Sequence, residues 1–248
     1  MIKAVTFDFW DTIAIDDSDE ARRANLGLPS KPQARLQLFM DEILSHHPEV
    51  EPERIAQAYA RANDWFRHCW KVEHHTPSVA ERLDRAYAFL GLERTPGFDA
   101  VVQHIEEMEV RIPPDFAAGV HDVLKELARH YRLGIISDAI HTPGRGIRRL
   151  LADHGLLELF SAFVFSDEIG VSKPAPKAFE QAAAQLGVSL SEIVHIGDRE
   201  SNDVAGPRAL GMRAILFTGI VDRGSDGTQA SALCRSYAEL PALIARLG

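Results

Sequence analysis

Two periodicities alternate along this chain. Ile2 to Phe7 is a continuous apolar, β-branched run that stops at Asp8, and comparable runs follow at Arg132 to Ser137, Ala162 to Ser166, Ile193 to Gly197 and Arg213 to Phe217. A strand covered on both faces reads as such a run, so these segments predict buried strands. Between them, Val120 to His130, Gly144 to His154, Pro174 to Leu186 and Asn202 to Leu210 predict helices, with Glu239 to Leu247 as a closing helix. Parallel strands need crossover connections, so this alternation predicts an α/β fold with a doubly wound parallel sheet.

From Asp16 to Arg111 the strand pattern stops. Leu36, Phe39, Met40, Ile43 and Leu44 recur at helical spacing, as do Ile55, Tyr59, Ala62, Phe66 and Cys69, and then Phe98, Val101, Val102, Ile105 and Met108. Ser78 with Glu81 three residues on is a capping-box signature for a helix running to about Leu90. The pattern predicts an all-helical unit, 16–111, inserted into a core made of 1–15 and 112–248. Asp16 to Lys31 is polar and aperiodic and is expected to form a hinge with an exposed lead-in. The Gly- and Ser-rich stretch Asp222 to Gly227 is expected to be a mobile loop.

Composition narrows the classes. With 248 residues and 46% hydrophobic content the chain has material for a substantial core. No apolar run approaches the length of a membrane span, and the N-terminus lacks a signal-peptide pattern. Two cysteines, Cys69 and Cys234, cannot make a disulfide framework and point to a reducing, cytoplasmic setting. A formal charge of −9 argues against nucleic-acid binding, and it means that an anionic substrate needs a local lysine or metal ion. His46, His47, His68, His74, His75 and Cys69 fit no tetrahedral zinc spacing. Trp65, Trp70, His68 and His74 either pack within the helical unit or face a cleft beneath it.

The candidate chemistry sits where strands end. Ligands gather beyond the carboxyl ends of parallel strands. Asp8 follows the first run, with Asp11 and Thr12 close behind; by itself this is also how a plain turn or helix cap reads. Ser137 ends the second run, Lys173 precedes a Pro-started helix, and Gly197-Asp198 closes the fourth, with Asp203 opening the next helix. Acid, hydroxyl, lysine and acids in this order resemble the haloacid dehalogenase-like hydrolase superfamily. The resemblance covers Ile2 to about Ile15 and about Ile112 to the C-terminus.

The resemblance implies a Rossmann-like core closed by a helical cap domain. It implies Asp8 as the nucleophile that forms an aspartyl-phosphate, with Thr12, Ser137 and Lys173 holding the transferred group. It implies Mg²⁺ bound by Asp8, the main-chain carbonyl of Trp10 and Asp198, with Asp203 and Asn202 as supporting partners. The pattern breaks at Trp10, where most phosphatases of the superfamily carry a second Asp that protonates the leaving group, a contribution of about 10²–10⁴-fold. Asp11 is the neighbouring acid, but adjacent residues on an extended segment point to different sides, so its help would require an unusual turn. The function implied is a Mg²⁺-dependent hydrolase of a small phosphorylated metabolite, acting as a monomer or homodimer without nucleic-acid or membrane partners. A 2-haloacid dehalogenase, a phosphonatase-type hydrolase with Lys71 as its cap lysine, and a catalytically weak phosphate-binding module remain as alternatives.

Overall fold

A computed structural model describes residues 1–248. Six strands form one sheet: β1 (Ala4–Phe7), β2 (Arg132–Ser137), β3 (Phe160–Phe165), β4 (Ile193–Gly197), β5 (Arg213–Phe217) and β6 (Ala232–Cys234). All neighbours are parallel, in the order β3-β2-β1-β4-β5-β6. The chain builds outward from β1 through β2 to β3, then returns to lay β4 on the other side of β1. The carboxyl ends of β2, β1 and β4 therefore converge where the winding reverses, which is where open parallel sheets bind ligands. The second, fourth and fifth apolar runs match their strands residue for residue. The third strand begins earlier than expected, at Phe160. The edge strand β6 was not expected, because three residues on the rim of the sheet leave no apolar run to read.

Twelve helices cover this sheet and extend beyond it. The inserted segment contributes α1 (Glu20–Asn25), α2 (Lys31–His46), α3 (Pro52–Lys71), α4 (Val79–Leu90), α5 (Phe98–Glu106) and α6 (Met108–Arg111). The core contributes α7 (Val120–Leu127), α8 (Gly144–Asp153), α9 (Ser166–Ile169), α10 (Pro176–Leu186), α11 (Gly206–Ala209) and α12 (Leu240–Leu247). One sheet face packs Phe7, Ile135 and Ile196 against the apolar sides of α7, α8 and α12. The other packs Ala4, Ile136 and Val164 against Phe179, Ala182 and Leu186 of α10. The inserted helices form a cap with its own core, in which Phe39 meets Tyr59 and Tyr87 at ring-centroid distances of 5.6 and 5.5 Å. Burying a side chain of that size stabilises by about 1.5–3 kcal/mol. Ser78 and Glu81 close the expected capping box at the start of α4, a device worth about 1 kcal/mol. No helix is long and apolar enough to cross a membrane.

Two expectations need correction. Asp16 to Lys31 is largely exposed, as expected, but it is not featureless: Asp19, Arg23 and Lys31 are buried, and Glu20–Asn25 is helical. Lys31 and Asp19 can be buried there because they pair with each other, while Arg23 donates to the Pro29 carbonyl. Lys31 Nζ lies 2.8 Å from Asp19, 3.0 Å from Asp17 and 3.2 Å from Glu109. The expected helix from Asn202 to Leu210 is α-helical only over Gly206–Ala209. Glu200–Ala205 widens into a π-helical turn, a distortion common at functional sites.

Candidate active site

Asp8 begins where β1 ends, its amide donating to the Ile196 carbonyl of β4 at 2.8 Å. That bond ties the two strand ends together and brings Asp8 beside Asp198. Carboxylate oxygens of Asp8, Asp198 and Asp203 all lie within 4.8 Å of one another, and all three residues are buried. Lys173 Nζ bridges two of them, 3.0 Å from Asp8 Oδ1 and 2.6 Å from Asp203 Oδ1. Gly197 makes this packing feasible, because a Cβ at that position would stand 2.3 Å from Asp203 Cγ.

Asp203 is held from every side. It also accepts from His195 Nε2 at 3.1 Å and from the Arg199 amide at 3.0 Å. Thr6 Oγ1 pairs with the other ring nitrogen of His195 at 2.9 Å, so the imidazole is bonded at both ends, and burial lowers its pKa and favours the neutral ring. Burial works against ionising Asp203, yet Lys173 and His195 pull its carboxyl well below the usual range. Burial likewise opposes the Lys173 charge, and Asp203, Asp8 and Asp138 together overrule it and raise its pKa. Asp198 goes the other way: burial first, then Asp8 and Asp203, raise it.

Three buried polar atoms in this cluster find no hydrogen-bond partner within the protein: Thr12 Oγ1, Ser137 Oγ and Asp198 Oδ1. The Thr12 carbonyl is occupied, accepting from Tyr237 Oη at 2.9 Å, so the residue is fixed while its hydroxyl stays free. Leaving a buried polar group unpaired costs about 1–3 kcal/mol, so three together mark a place built for something else to bind.

Asp11 occupies an unusual turn, with a left-handed φ of 51°. Asp11 is nevertheless not among the residues that line the cavity Asp8 shares with Trp10, and its carboxylate is engaged. One oxygen accepts from the Asp16 amide at 3.1 Å and the other from Arg223 Nη2 at 2.5 Å. Trp10 lines that cavity, and its ring packs edge-on against Phe9, 4.9 Å between centroids.

The structure adds residues that sequence reading missed. Arg223, from the loop expected to be mobile, places Nε 2.5 Å from Asp198 Oδ2 and so links Asp198 to Asp11. A loop of Asp, Gly and Ser gives no sequence signal for this. Asp138, directly after Ser137, accepts from Trp70 Nε1 of the cap at 2.9 Å, from the Lys173 amide at 3.0 Å and from Asn202 Nδ2 at 3.3 Å. Burial, only partly offset by Lys173 and Trp70, pushes its carboxyl up to about 6. Its signal was available, since it continues the same strand-end motif. Trp70 and His74 both border the cleft, whereas Trp65 packs beside Arg85 within the cap. His195 was also legible as a polar residue inside an apolar strand run.

A doubly wound parallel sheet with ionisable residues gathered past three adjacent strand ends is the architecture of a Rossmann-like α/β enzyme. The chain belongs to the haloacid dehalogenase-like hydrolase family, whose model matches residues 2–211. Over 218 residues it is 35% identical to the glyceraldehyde 3-phosphate phosphatase of Pyrococcus abyssi, covering 88% of this chain and 82% of that protein. The glyceraldehyde 3-phosphate phosphatase of Methanopyrus kandleri is 28% identical over 218 residues, or 86% of this chain and 82% of that protein. Among solved structures, a phosphatase of the family from Thermococcus onnurineus superposes with a TM-score of 0.65 at 23% identity over 98% of both chains. A 2-haloacid dehalogenase from Pseudomonas syringae gives 0.66 at 22% identity over the full length of both. The two structures share the fold with this chain.

Proposed function

We propose that this protein is a Mg²⁺-dependent hydrolase of small phosphate monoesters, with Asp8 as its nucleophile and the segment 16–111 as its cap. The observation that carries the reading is the set of unpartnered buried atoms, Thr12 Oγ1, Ser137 Oγ and Asp198 Oδ1, around the Asp8–Lys173 pair. The phosphatase names of the curated relatives support the same substrate class.

The donor set fits a divalent cation. Asp8, Asp198 and Asp203 bring carboxylate oxygens within 4.8 Å of one another, Lys173 bridges only Asp8 and Asp203, and Asp198 Oδ1 has no partner. Asp8, Asp198 and the Trp10 carbonyl would hold the ion, and hard oxygen ligands of this kind suit magnesium. When bound, the ion supplies neutralising charge for a phosphoryl group that would otherwise meet carboxylates.

The side chains then divide the chemistry. An Asp8 oxygen attacks phosphorus, and the bond to the ester oxygen breaks, leaving an aspartyl-phosphate and an alkoxide. Lys173 and the hydroxyls of Thr12 and Ser137 hold the phosphoryl oxygens in line. Water then attacks phosphorus, which frees phosphate and restores the Asp8 carboxylate. Asp203, clamped by His195 and the Arg199 amide, keeps the ammonium of Lys173 in place. Trp10 offers no proton to the departing oxygen, so esters with good leaving groups are favoured.

Titration calorimetry with Mg²⁺, run beside turnover of p-nitrophenyl phosphate, tests this reading. One ion is expected to bind wild type, Asp198→Asn to weaken binding by roughly tenfold or more, and EDTA to abolish turnover reversibly. Undiminished turnover in EDTA, with halide released from 2-haloacids, would establish dehalogenase chemistry instead.

A further inference from the structure

Arg35 and His141 line the Asp8 cavity, Arg82 packs against His141, and the three carry donors that phosphoryl transfer does not use. Arg82, on α4, is only 3% exposed, yet none of its contacts is a carboxylate. Its guanidinium carbon lies 3.5 Å from the Phe66 ring centroid, and its two terminal nitrogens donate to His141 Nε2 and to the Ile140 carbonyl, each at 2.8 Å. Its Nε has no partner. Burial, followed by the Arg35 and Arg67 charges and only partly offset by Tyr59, pushes Arg82 down to about 9. A buried cation without a counter-ion is costly, and an arriving anion relieves that cost.

Arg35, on α2, lines the cavity itself and is 7% exposed. Its Nη2 donates to Glu109 at 2.9 Å, while its buried Nε finds no partner. Glu109 is not its private counter-ion, because Lys31 and Thr142 Oγ1 share the same carboxylate. His141 lines the cavity too. Arginine can only donate, so His141 Nε2 accepts from Arg82 and the imidazole proton sits on Nδ1, where no protein acceptor takes it. A guanidinium and an imidazole N–H with donors to spare thus line the same cavity as Asp8 and Lys173.

We propose that these residues form a carboxylate subsite, in which Arg35 and His141, backed by Arg82, bind the acid group of a short phosphorylated carboxylic acid. The inference rests on the reading of Asp8 as the phosphoryl acceptor and names the substrate class for that same cavity. The cavity is small, about 260 Å³, below the usual range of about 300–1,000 Å³ for drug-sized ligands. Asp16 and Asp17 also border it, with Lys31 as the cation beside them, 3.0 Å from Asp17. They repel an anion placed on the hinge side and so steer the carboxylate toward Arg35.

Two measurements on the Mg²⁺-loaded protein test the subsite. The first compares calorimetric binding of phosphonoacetate and methylphosphonate, neither of which is a phosphate ester. Wild type is expected to bind the carboxylate-bearing ligand about 30-fold tighter, and Arg35→Gln to bring the two close together. The second compares turnover of phosphoglycolate with ethyl phosphate and of 3-phosphoglycerate with glycerol 3-phosphate. The preference for the acids is expected in KM rather than in kcat, to collapse in Arg35→Gln and to be partly retained in Arg35→Lys, which keeps the charge but loses the fork. Equal binding of the two phosphonates by wild type overturns the proposal, whether or not the Arg35 variants fold. If no ester is turned over, the Asp8 reading fails, and the phosphonate comparison still decides the subsite on its own.

Discussion

Lys173 and Lys31 are both almost fully buried, and each is ringed by carboxylates. What surrounds those carboxylates differs. Around Lys173 the acids come from the end of β1 and from the π-helical turn after β4, and Thr12 and Ser137 hold out hydroxyls that nothing in the protein accepts. Around Lys31 the acids come from the hinge and from α6, so the ammonium ties the lead-in segment to the base of the cap. A buried ion cluster alone therefore does not identify a site. A lone unpaired atom does not identify one either, since Asp19 Oδ2 beside Lys31 also lacks a partner; what sets the Lys173 cluster apart is two free hydroxyls and Asp198 Oδ1 gathered with Asp8 where strand ends converge, each unpaired at a cost of about 1–3 kcal/mol.

Methionine substitutions separate the two lysines. Lys173→Met is expected to lower p-nitrophenyl phosphate turnover by about 10³-fold, since it removes the cation that holds both Asp8 and the phosphoryl oxygens. Lys31→Met is expected to keep turnover within about tenfold while lowering the free energy of urea unfolding by about 3–5 kcal/mol, because Asp19 and Glu109 stay buried without their cation. Similar losses of turnover in both variants would erase the distinction between site and tie.

Much of this contrast was readable beforehand, and the unreadable part has a physical cause. Asp8, Ser137 and Asp198 announce themselves because a buried parallel strand is an uninterrupted apolar run, and the polar residue that ends it is conspicuous, whereas Lys173 is legible only as the member of the ordered motif set that precedes a Pro-started helix. The cap helices announce themselves through the spacing of Phe39, Ile43, Ile55 and Tyr59. The Lys31 cluster does not, because a paired buried charge and a solvated one look alike in sequence. The same holds for Arg35 and Arg82, whose helices read as ordinary amphipathic ones. Arg223 reaches Asp198 from a segment with no periodicity at all. Local pattern reports which face is buried; it does not report which charges meet across the fold.

A smaller effect concerns the position where the chain departs from its family. Trp10→Asp is expected to speed hydrolysis of an alkyl phosphate by about 10–100-fold and of an aryl phosphate much less, because the alkoxide needs the proton that an acid there would give. The comparison is of kcat for the two esters in wild type and variant. Equal rates for both esters in wild type, with chemistry limiting, would mean that another group already donates. Asp11 is then a poor candidate, since Arg223 and the Asp16 amide hold its carboxylate.

The central claim, that Asp8 accepts the phosphoryl group, is tested most directly by acid-quenching the enzyme during turnover and locating the label by peptide mass spectrometry. A phosphoryl group on the peptide carrying Asp8, absent in Asp8→Asn, is the expected result. In parallel, turnover in ¹⁸O-water is expected to place the heavy oxygen in released phosphate and none in the Asp8 carboxylate, because water attacks phosphorus. Heavy oxygen retained in Asp8 would mean that water attacks the aspartyl carbonyl, as an ester intermediate requires, and would contradict phosphoryl transfer.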